Sequence, residues 1–370
     1  MMNPEIDSAS DTDPVSGLEA RYFNDPDLFR RIVDEVFFKN WVMACHASQI
    51  SKPGDYQTIE IYDQDILLTH TRDGQNHSGE IKAFYNVCQH RGHKLAEGSG
   101  NRKLLVCPYH SWSYDLTGKL KAAPHVSKVP GFDSAKICLT EIRVENFLGF
   151  IFVNLDPDCP SMDETYPGIR AEMTSLCADV EQRQYAYHHT ADEGCNWFIA
   201  VENYNECYHC GNCHPAFAKG IIDPDSYSIE PYGETQVLHH TSKPSHSEDA
   251  WYDTSGADYG SFFLWPATSI QFYPGGVVNS FTWRPLAVDD VRVFRTFYSN
   301  DGQLDETLQK VIDNDRDTTF QEDLDIVKEV QRGINSRGYR PGPLVLNPDG
   351  GINNERPIQK LHEWLRAAVA

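Results

Sequence analysis

The sequence predicts an α+β protein of two domains, the first rich in β-strand and the second mixing strands with helices. Three observations predict this. Short segments around residues 66–120 alternate apolar and polar side chains as antiparallel strands do, while two later segments, 196–210 and 315–333, carry helical periodicity. The 370 residues are also enough for about two domains with a sizeable core. The expected division is a tail and helix over 1–40, a β-rich domain over 41–155 and a second domain over 156–370.

The start of the chain, Met1 to Pro14, is polar and acidic, without the basic opening and apolar stretch of a secretory signal, and predicts a frayed tail on a cytoplasmic protein. No apolar run approaches the roughly 18 residues of a membrane helix. The formal net charge of −22 disfavours nucleic acid and anionic lipid as partners and suits a cationic substrate or a basic protein. Ten cysteines in such a chain are expected to stay reduced, so clustered ones are candidate metal ligands.

In the β-rich domain, Ile66 to His70, Ile81 to Val87 and Ser113 to Leu120 read as strands, the last folded at a hairpin turn over Asp115 to Gly118. Between them lie Cys88-Gln-His90 and Cys107-Pro-Tyr-His110, two loops that each mix one thiolate with one imidazole. Gly92, Gly98 and Gly100 allow tight turns or close approach, and Leu95, Pro108 and Trp112 are placed to shield an inorganic centre. Two His in place of two Cys raise the potential of a diiron cluster, which suits electron supply to an oxygen-activating site. A structural zinc site shares this ligand set but usually pairs Cys with Cys and His with His. His93 is read as a hydrogen-bonding residue.

The second domain opens with a helix expected from Asn196 to about Cys210, on which Glu202, Glu206 and His209 share one face. His214 falls about 140° away on a regular helix, so Gly211 and Pro215 are expected to break it if both histidines hold one ion. Two imidazoles and a carboxylate on one side of an ion form the triad of non-haem Fe(II) oxygenases. The carboxylate is sought on the 315–333 helix, where Asp323 lies within the apolar stripe of Phe320, Leu324, Val327 and, at its edge, Val330, while Glu322 and Asp325 are expected on the opposite side. A buried aspartate held by Arg or hydroxyls is the plainer alternative. Cys207, Cys210 and Cys213 are read as small buried hydrophobes rather than ligands.

Cys-x-His and Cys-x-x-His, followed by Asn-Tyr-x-Glu-Cys-Tyr-His and a second His, resemble the Rieske non-haem iron oxygenases over nearly the whole chain. The resemblance implies a Rieske [2Fe–2S] domain and a helix-grip catalytic domain in the oxygenase alpha subunit of a homotrimer. It implies that Cys88 and Cys107 bind one cluster iron, His90 and His110 the other, and that His209, His214 and Asp323 hold a mononuclear Fe(II). Glu206, where the family usually has Asp, would bridge the centres of neighbouring subunits. That departure, with the run from Glu322 to Tyr339, resembles the branch acting on quaternary ammonium compounds, which includes glycine betaine and stachydrine demethylases and carnitine monooxygenase.

A quaternary ammonium is held by aromatic faces; Tyr204, Trp265, Tyr273 and Trp283 are the candidates, the last three on segments that read as strands. The implied reaction uses O₂ and electrons from NAD(P)H through a separate flavin and iron–sulfur reductase, since this chain has no Gly-rich dinucleotide fingerprint. N-demethylation of a betaine with release of formaldehyde is the preferred outcome, on the likeness of Glu202-Asn-Tyr-Asn-Glu206 to the betaine enzymes. Carnitine C–N cleavage to trimethylamine, aromatic-ring dioxygenation and a non-catalytic electron carrier or zinc-stabilised binding protein are the alternatives.

Overall fold

The computed structural model describes residues 14–71, 79–252 and 258–370. The acidic tail expected at the N-terminus lies almost wholly outside the described residues. Helical turns at Arg21–Asn24 and Pro26–Ile32 follow it, the second capped by the Asp25 carboxylate, which accepts from the N–H groups of Asp27 and Leu28.

Two antiparallel seven-stranded sheets form the body. The first runs in the order Val42–His46, Phe150–Asn154, Glu141–Phe147, Ile81–Tyr85, Gln64–His70, Asp55–Ile61 and Ser99–Asn101. Its core side carries Ile59, Ile61, Ile66, Leu68 and Ala83, all buried. A small three-stranded sheet of Leu105–Val106, Ser113–Tyr114 and Leu120–Ala122 stands apart. Its hairpin turns where predicted: Gly118 takes φ 83°, and the Asp115 side chain accepts from the N–H groups of Thr117 and Lys119. A separate apolar cluster, with Leu67, Phe84, Leu95, Leu105, Tyr114 and Leu116, surrounds Cys88 and Cys107.

The second sheet runs Gln184–Asp192, Asp290–Ser299, Val278–Ala287, Thr268–Phe272, Tyr259–Leu264, Val237–Ser242 and Ser228–Pro231. Every residue of Tyr259–Leu264 and Thr268–Phe272 is buried, including the polar Ser261, Thr268, Ser269 and Gln271. Helices Trp197–Tyr204 and Thr319–Ile334 pack together against this sheet. Trp197 anchors the arrangement: it is fully buried, between Phe37 and Trp265. One apolar core thus joins residues from both halves of the chain.

Both predicted helices differ from expectation. The 196–210 helix ends at Tyr204; Asn205 caps it, and the chain turns through Glu206 to His209 before the short turn Cys210–Cys213. The break therefore precedes Gly211, which sits inside that turn, whereas Pro215 does open the next helix, Pro215–Gly220. Polar side chains competing for backbone groups end the first helix. The Asn205 amide donates to the carbonyl of Val201, and the Glu206 carboxylate accepts from the N–H of Tyr208. The 315–333 helix is two helices, Glu306–Asp317 and Thr319–Ile334, interrupted at Thr318, so Asp315 belongs to the first of them.

Candidate metal centres and the cavity beside them

The first centre is built from the two predicted loops. Cys88 and Cys107 are both 2% exposed, and the rings of His90 and His110 lie 4.7 Å apart. His90 stacks flat on Trp112, and Leu95 is buried beside the site, whereas Pro108, expected to shield it, is exposed. Gly92 and Gly98 have positive φ, and a side chain at Gly100 would collide with the Tyr56 ring. Backbone N–H groups of Tyr109 and His110 point at the Cys107 sulfur, while burial, with Cys88 alongside, raises that thiol above its ordinary pKa. The Nδ1 of His110 is buried without a partner. An unpaired imidazole nitrogen beside two buried thiols fits a metal cluster, because it would otherwise cost the full desolvation of a polar atom. His93 Nδ1 meets the carbonyl of Lys94, the hydrogen-bonding role expected of it.

The second centre forms where the broken helix and the Thr319–Ile334 helix meet. His209 and His214 face each other through Nε2 at 3.0 Å, and Asp323 Oδ1 stands 2.9 Å from His214 Nε2 and 3.8 Å from His209 Nε2. Each histidine turns Nδ1 to a carboxylate: His209 donates to Glu206, and His214 donates to Glu322 Oε2 at 2.8 Å. An ionised carboxylate only accepts, so the Glu206 and Glu322 contacts put a proton on each Nδ1; His214 Nε2 also faces a carboxylate, Asp323 Oδ1, and offers its lone pair only when an ion replaces the proton there. With an ion in place of that proton, two Nε2 lone pairs and a carboxylate oxygen would converge on it. Ligands about 2.1 Å from one ion and about 90° apart stand about 3 Å from one another. Burial opposes the charged form of His214, but Asp323 and Glu322 outweigh it and raise its pKa, so an ion entering here competes with a proton.

The sequence placed Glu322 on the far side of its helix, and the structure corrects this: Glu322 and Asp323 both address His214, one at each ring nitrogen. Val330, expected at the edge of the buried stripe, is 42% exposed. Glu202, expected beside Glu206 on one helix face, instead pairs with His362 of the C-terminal helix Arg356–Ala368. Cys207 and Cys210 form a disulfide, against the expectation of reduced thiols; the turn that replaces the helix brings their Cα atoms to 4.9 Å. Cys213 is free.

A cavity opens beside the converging nitrogens, with Tyr204, Phe217, Tyr227, Tyr259, Tyr273 and Phe281 contributing rings. Burial pushes the phenols of Tyr204, Tyr227, Tyr259 and Tyr273 up, so these rings stay neutral. Tyr204 is pinned through its hydroxyl to Ser261, Ser269 and Gln271. Of the four predicted aromatic residues, Tyr204 and Tyr273 line this cavity. Trp265 does not reach it, being packed among Trp197, Phe198 and Trp364, and Trp283 stands behind Tyr204, 5.0 Å away. Sequence reasoning misses Phe217, on the short Pro215–Gly220 helix, and Tyr227, just before the strand Ser228–Pro231, as well as Tyr259 and Phe281, for which strand alternation does not tell which face meets a cavity.

The cavity's cation is Arg295, which is not free: it bonds Asp315 at 2.6 Å, approaches Asp323 at 3.7 Å and is covered by the rings of Phe281 and Phe320. His240 on the wall is neutral, its pKa pushed down to about 3 by burial.

Residues 40–133 match the Rieske [2Fe-2S] domain, and residues 180–370 match the ring hydroxylating alpha subunit catalytic domain. The chain is similar to the carnitine monooxygenase oxygenase subunit of Escherichia coli (strain K12), 33% identical over 94% of this chain and 92% of that one. It is 32% identical to the glycine betaine monooxygenase oxygenase subunit of Pseudomonas aeruginosa (strain UCBPP-PA14), over 92% of this chain and 89% of that one. Among solved structures, a quaternary ammonium Rieske monooxygenase described for carnitine oxidation and inter-subunit electron transfer superposes with a TM-score of 0.89 at 27% identity, over 97% and 96% of the two chains.

Proposed function

Because the chain belongs to the Rieske non-haem iron oxygenases, with a [2Fe–2S] cluster and a mononuclear iron as cofactors, we propose that it is the oxygenase subunit of a monooxygenase acting on a quaternary ammonium compound, carnitine first. The overall change is R–H + O₂ + 2e⁻ + 2H⁺ → R–OH + H₂O, with electrons drawn from NAD(P)H by a separate reductase. The observation that carries the substrate class is the ring-lined cavity directly beside His209, His214 and Asp323. Neutral aromatic faces attract a cation that has no N–H to donate. Arg295 does not repel it, because Asp315 balances its charge.

The roles follow from position. Cys88, Cys107, His90 and His110 hold the cluster within 41–155, and His209, His214 and Asp323 hold the iron within 156–370. The bound cluster supplies single electrons, and the bound iron activates O₂. Tyr204, Tyr273 and Phe281 form the wall against which the ammonium is held, and the pinned Tyr204 hydroxyl fixes one side of that wall. Glu206 keeps the proton on His209 Nδ1 and its ring in one orientation.

Glu206 is also the proposed link between subunits of a homotrimer. Supporting this, His90 and Tyr109 are exposed on the cluster loops, the latter by 52%, and the carnitine-oxidising relative is described for inter-subunit electron transfer.

The sequence favoured betaine N-demethylation, and the relatives weigh toward carnitine instead. Demethylation stays as the second reading on the glycine betaine relative. The test is product analysis with a competent reductase and NAD(P)H, on protein of verified iron content, across carnitine, glycine betaine, proline betaine and choline. Trimethylamine from carnitine supports the first reading and formaldehyde from a betaine the second; neither product from any of the four would refute both.

A further inference from the structure

We propose that Glu322 is the positioning residue for His214, holding that imidazole so that Nε2 alone is offered to the iron. Glu322 and Asp323 are consecutive in the first turns of the Thr319–Ile334 helix, and their side chains leave it about 100° apart. The His214 ring lies between them, with Nδ1 on Glu322 Oε2 at 2.8 Å and Nε2 on Asp323 Oδ1 at 2.9 Å. One helix segment thereby supplies both an iron ligand and the group that orients its neighbouring ligand. His214 is 2% exposed, so with Glu322 in place its Nδ1 is closed to solvent. Among the described residues no Lys or Arg pairs with Glu322, so its carboxylate is not engaged by a surface ion pair.

The arrangement makes the two histidines alike in one respect and unlike in another. Each has a carboxylate on Nδ1, which fixes the tautomer and makes Nε2 the more basic donor. Glu206 lies in the turn next to His209 and is also the candidate link between subunits. Glu322 comes from a helix more than a hundred residues later and is placed only to orient. His214 is the more dependent of the two ligands, because it caps the start of the Pro215–Gly220 helix in an irregular backbone conformation and has no local carboxylate of its own.

The inference rests on the assignment of His209, His214 and Asp323 as iron ligands, so its test separates the two. Cluster-replete protein stripped of mononuclear iron is titrated anaerobically with Co(II), following the metal's visible absorption, for wild type, Glu322→Ala, Glu322→Gln and Asp323→Ala. Glu322→Ala is expected to weaken Co(II) binding by about 10–100-fold and to shift the Co(II) bands, with the [2Fe–2S] spectrum unchanged. Glu322→Gln, which keeps an acceptor of the same shape, is expected to recover most of the affinity. Wild-type affinity in Glu322→Ala, or equal losses in Ala and Gln variants, would overturn the positioning role while an Asp323→Ala loss upholds the ligands. Undiminished binding in Asp323→Ala would instead remove the ligand assignment itself.

Discussion

Glu206 grips His209 at two points: one carboxylate oxygen accepts the ring Nδ1–H, and the other accepts the backbone N–H of the same residue at 3.3 Å, along with that of Tyr208 at 2.6 Å. The carboxylate is therefore a structural part of the turn that ends the Trp197–Tyr204 helix as well as a partner of the proposed iron ligand. A shorter Asp side chain would have to reach the same ring from a different backbone position, which bears on why Glu stands here.

Replacing Glu206 by Gln keeps the shape but removes the charge and leaves a single acceptor oxygen for the two points that the carboxylate holds. We expect both metal centres to load normally while product formed per NAD(P)H consumed falls, with turnover down by about 10–100-fold. Metal analysis, visible absorbance and the product to NAD(P)H ratio measure this together. Full coupled activity would exclude the bridge.

Asp323→Ala and Cys107→Ala should have complementary effects. The first is expected to abolish mononuclear iron binding and leave the cluster absorbance intact, since the cluster loops pack in a separate apolar cluster. The second should erase that absorbance and leave the site of His209 and His214 competent for Co(II). Loss of both centres in either variant would mean that the domains do not fold around their metals separately.

Arg295 is 5% exposed and balances Asp315, itself 6% exposed. Removing one partner of a buried pair strands the other charge, so Arg295→Met should cost about 3–5 kcal/mol of unfolding free energy. The double replacement Arg295→Met with Asp315→Leu should recover much of this, because neither charge is then left alone. Denaturant unfolding of the two variants checks the order, and a single variant as stable as wild type would contradict it.

His240 is buried and neutral, with Tyr227 at Nδ1 and Asn205 at Nε2, and its pKa is pushed down to about 3. In the unfolded chain it titrates near 6.5, so between these values the unfolded state binds the extra proton and stability falls as pH falls. The contribution is fully present above about pH 6.5 and declines below it by up to about 1.4 kcal/mol per pH unit. Unfolding of wild type and His240→Gln compared at pH 5 and pH 6.5 should show the variant losing less stability than wild type on acidification. Parallel behaviour would mean that His240 is protonated in the folded protein.

The sequence by itself singled out the residues that the structure brings together, because those signals are short. One residue separates Cys88 from His90 and two separate Cys107 from His110, and such short loops bring their side chains together whatever surrounds them. Strand segments around Cys88 and the hairpin at Gly118 were legible for the same reason, as alternation and a turn residue act over a few positions. Asp323 was legible from the apolar company it keeps on its helix.

Tertiary structure decided what depends on elements meeting. A helical wheel assumes an unbroken helix and one partner surface, so it missed the ends at Tyr204 and Asp317, and the reach of Glu322 to His214. It likewise chose among the aromatic residues: Trp265 went to the core against Trp197, whereas Phe281 and Tyr273 reached the cavity. The physical reason is that a cavity wall is assembled from strands far apart in sequence whose twist and packing select one face, and no local period encodes that choice.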